Sequence, residues 1–233
     1  MDALQRVEPA ARGLLVRVDA ALIAHGAPDG HPLWPLLRRA AVPPGEAVAF
    51  FAGVDPAPLR AAAGDLRGLA QRYAETSVPT QPAWQGSAGA AYTAAAEALA
   101  AHLGAGDDPD SMGGRLAATA SYVEEVADWY AKTRAAIAVA LVEVLGCAQA
   151  VAVGTGPDLS AGAAELARPA DVAVPPALAA AADIGAHVLA PVVAALELGR
   201  ELADRWAQRL AELSLPAPPV GAIGFGPGIE LRL

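Results

Sequence analysis

The sequence contains few lysine, cysteine and aromatic residues, and each of these shortages makes some functions less probable. Lys132 is the only lysine among 233 residues, and the formal net charge at pH 7 is −9. Because an acidic surface repels phosphate groups, this charge disfavours binding to nucleic acid and electrostatic docking on anionic lipid. Cys147 is the only cysteine, which excludes a disulfide within the chain, and we expect it to be a small buried side chain on a helix.

The beginning of the chain lacks an uninterrupted apolar stretch. Arg6, Glu8, Arg12 and Arg17 fall where a cleaved secretory signal would need its hydrophobic segment. We therefore expect a protein that is cytoplasmic before any export. If the protein is exported to the cell surface or the medium, we expect its export not to use a signal peptide.

Apolar residues are abundant, but most of them are small. Hydrophobic residues make up 55% of the chain and aromatic residues only 5%, so alanine, leucine and valine dominate. Alanine and leucine are the best apolar helix formers, and 233 residues can bury a substantial core. The composition predicts an all-α protein, an elongated helical bundle built around a helix-turn-helix hairpin with long third and fourth helices.

Proline and glycine divide the chain into segments. A first helix is predicted from about Glu8 to His25, with Pro9 in its first turn. Two short helices are predicted around Leu33–Ala40 and Glu46–Phe50. The predicted organisation is a helical domain with these lead-in helices at 1–153, a Pro/Gly connector at 154–176, a C-terminal kinked helix packed on the bundle at 177–214, and a Pro/Gly-rich tail at 215–233.

The hairpin is predicted from two apolar stripes with three- and four-residue steps. Asp55 offers an N-cap to the first helix and Ser87 to the second. Because neither stripe can be buried alone, the two helices are expected to fold back on each other. The first stripe is Leu59, Ala62, Leu66, Leu69 and Tyr73, and the second is Ala88, Tyr92, Ala95, Leu99 and Leu103.

The longest apolar pattern predicts a third helix over about 111–151, begun by Asp110 or Ser111 and weakened near its end by Gly146. A fourth helix is predicted from about Ala177, kinked where Pro191 removes a helical hydrogen bond. Apolar residues recur at intervals of seven along both helices. In the third they are Leu116, Val123, Tyr130, Ile137 and Val144, and in the fourth Val192, Gly199, Trp206 and Leu213.

No combination of residues indicates a catalytic, cofactor or metal site. Ser87 lacks the glycine two residues earlier that a nucleophile elbow requires. The four histidines have no metal-ligand spacing, and the acidic turn before Ser111 lacks the distal glutamate of a calcium loop. Glu124 and Glu125 are predicted to lie on a solvated face. We predict no enzyme, while an active site assembled from dispersed residues in a polar pocket is the alternative.

The segment 135–153 is nearly free of charge, with Glu143 and Gln149 as its only clearly polar side chains. Its length approaches the ~20 residues that a membrane span requires. However, Glu143 at mid-span would cost on the order of 2–3 kcal/mol, and alanine contributes little to insertion. A buried bundle helix is favoured, and a membrane-active or pore-forming protein that inserts this segment is the alternative.

One short motif, Trp84-Gln85-Gly86, lies in a Pro-bounded gap between the two alanine-rich hairpin helices. This arrangement resembles the WXG superfamily, the helical-hairpin proteins of actinobacterial type VII (ESX) secretion. The wider pattern is similar to the WXG-like N-terminal domain of actinobacterial secreted toxins, and the resemblance covers about Leu33 to Val151. It comprises the lead-in around Trp34, the hairpin from Asp55 to Leu103, and the long helix with Tyr122, Val126, Trp129 and Tyr130.

The resemblance implies an interaction role. The expected partner is a WXG-type helical-hairpin protein or a second copy of the chain, and a secretion ATPase could recognise the pair. The family's Tyr-x-x-x-Asp/Glu export signal does not follow the second helix here, so the resemblance places that signal on the partner. The residues expected to form the hairpin or to bind the partner are Trp84, Gly86, Leu59, Leu66, Tyr73, Tyr92 and Leu99.

Overall fold

The computed structural model describes residues 1–76, 85–104, 108–155 and 175–212. Within these ranges the chain forms α-helices and no strand, which confirms the all-α class. The predicted short helices at 33–40 and 46–50 are both present. The helices are α1 (Ala3–His25), α2 (Leu33–Ala40), α3 (Pro44–Gly53), α4 (Ala57–Thr76), α5 (Ser87–Leu103), α6 (Met112–Leu145), α7 (Ala148–Thr155) and α8 (Pro176–Glu212).

The chain folds into two compact units, and each unit combines segments that are distant in the sequence. The first unit contains residues 1–57 and 126–203. The second contains residues 58–125 and the last helix after Ala203. The predicted domain at 1–153 therefore contributes to both units. Most of the predicted connector and all of the predicted tail lie outside the described residues.

The start of α1 differs from the prediction, because the helix begins at Ala3 instead of Glu8. Asp2 is its N-cap and forms a capping box, in which an Asp2 carboxylate oxygen accepts the Gln5 N–H at 2.9 Å and the Gln5 side chain accepts the Asp2 N–H at 3.1 Å. Pro9 is consequently inside the helix, where proline costs about 3 kcal/mol. Complete burial of Leu4, worth ~1.5–3 kcal/mol, offsets that cost.

Helix α3 is capped at both ends by side chains from other helices. Its N-terminus, formed by Pro43 and Pro44, has no side-chain cap of its own. The Asp19 carboxylate of α1 accepts the Gly45 N–H instead, at 3.0 and 3.1 Å. At the other end, the Arg134 guanidinium of α6 donates to the carbonyls of the last turn. The acceptors are Phe51, Ala52 at 3.1 Å and Val54 at 2.6 Å.

Arg134 is 1% exposed, and its charge is compensated by Asp2. Its Nε donates to the Asp2 carboxylate at 2.5 Å, which links α6 to the N-cap of α1. This hydrogen bond lowers the pKa of Asp2, and its effect exceeds the opposing effect of desolvation. One buried cation therefore connects the start of α1, the end of α3 and the middle of α6.

The core of the first unit is built from small and branched residues on α1, α3, α6 and α8. The predicted periodicity of α6 holds in this region, because Ile137 and Val144 are buried. Close packing requires glycine at position 185 of α8. A side chain there would lie 3.1–3.3 Å from Leu22, Leu33 and Pro44. Phe51 is the largest buried side chain of this core, and its other large buried members include Leu4, Val18, Leu33, Val48, Ile137, Leu141, Ile184, Val188 and Leu189.

The long helix starts where the sequence indicates but ends at Leu145, before the predicted end at about 151. The Ser111 hydroxyl accepts the Gly114 N–H at 3.0 Å, so Ser111 caps α6. The helix stops at Leu145, where Gly146 donates its N–H to the carbonyls of Val142 and Glu143. α7 then continues at an angle of 71° to α6. The predicted weak point at Gly146 is thus a sharp bend.

In the second unit, α6 is joined to α4 and α8 by two carboxylates that the sequence had assigned to a solvated face. Glu124 forms an ion pair with Arg67 of α4. Glu125 accepts from Arg205 at 2.8 Å and from the indole N–H of Trp206 at 3.1 Å, both on α8. Both side chains remain more than 40% exposed, in agreement with the solvated-face prediction, but periodicity did not reveal the cations on neighbouring helices that they contact.

Candidate interaction surface and a polar cavity

Of the predicted hairpin bend, Gln85 and Gly86 are described and Trp84 lies outside the described residues. Gly86 is the N-cap of α5 and has a φ of 96°, a conformation that strongly favours glycine. Ser87 is the first residue of the helix and makes no capping hydrogen bond, so the predicted cap is displaced by one residue. The requirement for a glycine at position 86 therefore has a conformational cause.

The predicted stripe on α4 is partly buried. Leu59, Leu66 and Tyr73 are half-buried, whereas Ala63 and Ala70 are the fully buried residues of this helix. These five residues form one continuous face with three- and four-residue steps. The centre of the buried face is therefore the alanine pair, and the larger side chains lie at its edge.

The predicted stripe on α5 does not face the protein's own core. Tyr92 is 43% exposed and Leu99 is 56% exposed, while Gly89 is the only buried residue of the helix. The expectation that the chain buries this stripe itself is therefore wrong. Alanine occurs on all sides of α5, so the spacing of apolar residues could not identify the inward side.

We call the exposed stripe of α5 the α5 face and define it as Ala88, Tyr92, Ala95 and Leu99. With 3.6 residues per turn, the α5 face lies roughly a quarter turn from the side that carries Gly89. Glu97 is the only carboxylate on the helix, and it lies outside this face. The α5 face is thus an uncharged, mostly small-residue helix surface with two large side chains.

A cavity of about 480 Å³ lies in the first unit, beside the bend between α6 and α7. The four titratable side chains among its lining residues are carboxylates, a thiol and an imidazole. Sequence reasoning missed this grouping because its members are up to 44 residues apart. The lining residues are Glu143, Val144, Cys147, Gln149, Asp183, Ile184 and His187.

Each carboxylate of the cavity is paired with a histidine. His187 Nε2 lies 2.7 Å from Glu143, and His31 Nε2 lies 3.1 Å from Asp183. Asp183 and His187 are four residues apart on α8, so both point from one side of that helix. This spacing was the one sequence signal for the site, although a carboxylate and an imidazole four residues apart are commonly just surface neighbours.

The cavity does not assemble a metal site or an activated thiol in the part of the chain that the structure describes. No group of three or more potential metal ligands occurs among those residues. Cys147 is half-buried, and its thiol donates to the Val144 carbonyl at 2.9 Å. The cavity is a pocket of the kind that the enzyme alternative requires, but its described residues do not form a recognisable catalytic set.

The apolar segment 135–153 is divided by the bend after Leu145. Its residues Ile137, Leu141 and Val144 are buried, whereas Val139 and Val142 are more than half exposed. Among the described residues, one helix is long and apolar enough to cross a membrane, namely 176–211, and 61% of its most apolar window is buried in the protein. α6 and α7 meet the same criterion only as a bent pair.

Comparison with known proteins adds no family to these observations. No family model, curated protein or solved structure matches the chain. The WXG resemblance therefore stays a hypothesis based on the residues quoted above.

Proposed function

We propose that this protein is a non-enzymatic helical interaction protein associated with type VII secretion. It acts through helix–helix pairing, and its partner is a WXG-type helical-hairpin protein or a second copy of the chain. It is either a secreted substrate or an accessory protein of such a substrate. The observation that supports the proposal is the exposed, uncharged α5 face, which follows the Trp84-Gln85-Gly86 motif in the sequence.

The physical basis is the free energy of covering this face. Burying a leucine or another large apolar side chain contributes about 1.5–3 kcal/mol. Ala88 and Ala95 are small, which permits a partner helix to approach closely, toward the lower end of the ~8–10 Å range of interaxial distances. Tyr92 and Leu99 would then provide most of the contact area, as large residues do in other interfaces.

The proposed pairing also provides a route of export. The chain has no residues that match the family's Tyr-x-x-x-Asp/Glu signal after its second helix. In the proposed pair the partner carries that signal, and a secretion ATPase recognises the two chains as a unit. The protein is then cytoplasmic before export and is secreted without a signal peptide.

The test is co-purification with a second copy of the chain and with any small WXG-type protein that is encoded beside its gene. The full chain is expressed with an affinity tag together with each partner, and the complex is quantified by size-exclusion chromatography with light scattering. Leu99→Asp places a charge in the α5 face and is expected to weaken the complex at least tenfold. Ala94→Asp is the matched control, because Ala94 is also exposed on α5 but faces away from both Leu99 and Gly89.

Equal binding by the two variants would contradict the use of the α5 face. If neither the neighbouring protein nor a second copy binds the unmodified chain, the pairing function itself is wrong. Far-UV circular dichroism of both variants establishes that each remains helical.

A membrane-active protein that inserts the segment 135–153 is the second candidate. The exposed side chains of Val139, Val142 and Val151 favour it, because each is more than half accessible on α6 or α7. Flotation with neutral phosphatidylcholine vesicles at physiological salt distinguishes the candidates. Membrane capture that Val139→Asp abolishes and Leu99→Asp leaves unchanged would favour insertion over pairing.

A further inference from the structure

We propose that the cavity beside the α6–α7 bend binds a small organic cation, an ammonium or guanidinium compound, through Glu143 and Asp183. This inference goes beyond the proposed pairing function and concerns a different part of the protein. It follows from the shape of the cavity, the charges on its walls and the hydrogen bonding of its two histidine–carboxylate pairs.

The size and the apolar floor of the cavity suit a small molecule. Its volume of about 480 Å³ falls within the ~300–1,000 Å³ that is typical of ligand pockets. Val144 and Ile184 form the apolar floor of the cavity. They are 3% and 1% exposed, so their side chains are packed in the core. A short alkyl chain could cover these two side chains while its charged end remains near the rim.

Among the described residues, the walls carry two carboxylates and no lysine or arginine. The partner of Glu143 among the described residues is His187, and the partner of Asp183 is His31. Neither carboxylate is therefore paired with a permanent cation. A ligand with a fixed positive charge would supply what these walls lack, whereas an anion would be repelled.

Hydrogen bonding defines the tautomer of His31. Its Nδ1 accepts the Leu33 N–H at 3.1 Å, so the ring proton is on Nε2. That proton is donated to Asp183 at 3.1 Å. In this tautomer the imidazole is a hydrogen-bond donor to the Asp183 carboxylate.

The geometry favours an organic cation over a metal ion. The described residues include no set of three or more potential metal ligands. An ammonium or guanidinium group needs only hydrogen-bond acceptors, and carboxylates provide charge-assisted ones. The Gln149 side-chain carbonyl provides a further acceptor in the lining.

The experiment is isothermal titration calorimetry of the full chain with n-pentylamine and with agmatine, which carries a guanidinium group. 1-Pentanol and pentanoate are the matched neutral and anionic probes. Glu143→Gln and Asp183→Asn keep the side-chain shape and remove the charge, and each is expected to weaken amine binding at least tenfold. Glu201→Gln, an exposed carboxylate on α8 away from the cavity, is the control and is expected to bind as the unmodified chain does.

Higher salt should weaken the amine interaction, because the two carboxylates are about half exposed and their charges are screened. The proposal is overturned if 1-pentanol binds as well as n-pentylamine, if no amine binds, or if Glu201→Gln weakens binding as much as the cavity variants do. Thermal unfolding of each variant shows whether it is folded. Leu99→Asp should retain amine binding, so the result is independent of the pairing proposal.

Discussion

Both carboxylate oxygens of Asp19 accept the backbone N–H of Gly45, at 3.0 and 3.1 Å. The two residues belong to α1 and α3, and the interaction replaces the N-cap that Pro43 cannot provide. Negative charge is also favourable at this end of a helix, where the backbone dipole is positive. Asp19 of α1 thus supplies the side-chain cap at the start of α3.

Gly45→Ala should lower the free energy of unfolding by about 1–3 kcal/mol, the usual cost of overpacking. A methyl group at position 45 would overlap the Asp19 carboxylate and press on Leu15, 3.3 Å away. Urea denaturation followed by circular dichroism measures the change. Gly13→Ala is the control, since nothing lies within 4 Å of a methyl group there, and it should be neutral or stabilise the protein by up to ~1 kcal/mol. Equal effects of the two variants would show that α3 is free to move away.

Asp19→Asn should become more stabilising, relative to the unmodified chain, as the pH rises. Burial raises the pKa of Asp19 above its ordinary value, with a further contribution from Glu46, and the Gly45 N–H opposes this shift. The folded state therefore holds the Asp19 proton more tightly than the unfolded state. The associated stability is complete below the unfolded pKa and is lost as the pH rises through the folded pKa. Urea denaturation between pH 3 and pH 7 measures the difference.

Asp2→Asn provides the control with the opposite sign. The hydrogen bond from Arg134 lowers the pKa of Asp2, so its stabilising effect is present above the unfolded pKa and is lost as the pH falls through the folded pKa. Relative to the unmodified chain, Asp2→Asn should become more destabilising as the pH rises. The difference in free energy of unfolding from the unmodified chain should therefore change with pH in opposite directions for the two variants. A change in the same direction would mean that one of these carboxyl groups is in a different environment.

Arg134→Lys should destabilise the protein by about 2–3 kcal/mol, since hydrogen bonds to charged groups contribute ~1.5–3 kcal/mol each. The guanidinium reaches Asp2 through Nε and three carbonyls at the end of α3 through one terminal nitrogen, and a single ammonium group cannot replace this geometry. Differential scanning calorimetry measures the loss. Arg200→Lys, at an exposed position of α8, should change stability by less than ~0.5 kcal/mol. A similarly small effect at Arg134 would show that its hydrogen bonds contribute little net stability.

Gly199→Ala should weaken the contact between α8 and the indole of Trp129. A methyl group at position 199 would lie 2.9 Å from that ring, whose N–H donates to the Ala195 carbonyl at 2.8 Å. Overpacking of this kind costs about 1–3 kcal/mol, and the near-ultraviolet circular dichroism of the tryptophans should change with it. The double variant Gly199→Ala, Trp129→Phe tests the cause, because removing the larger ring should restore part of the lost stability.

Helix positions could be predicted from the sequence because proline, glycine and capping residues act locally. Ser111 begins α6 as expected, and Gly146, predicted only to weaken the helix, ends it. Asp2 was missed because its capping box is followed by Pro9, which suggested a later start. The start of α1 at Ala3 depends on the burial of Leu4 by residues from elsewhere in the chain, and the local sequence does not reveal this burial.

The orientation of helices could not be predicted where alanine surrounds the axis. In α5 the inward residue is Gly89, which has no side chain to signal burial, whereas the exposed Leu99 looked like a core residue. The cavity was missed for a different reason. His187 and Glu143 meet only because α6 and α8 pack together, and a residue's own neighbours in sequence carry no information about that contact.

The two caps of α3 have a consequence for the order of events during synthesis. Its N-terminal cap is supplied 26 residues earlier, whereas the Arg134 that holds its C-terminus is added about 80 residues later. Ribosomes extend chains at roughly 5–20 residues per second, so α3 waits on the order of 4–16 s for its second anchor. The nascent chain therefore carries an unfinished helix, open to chaperones, until translation has passed the middle of α6.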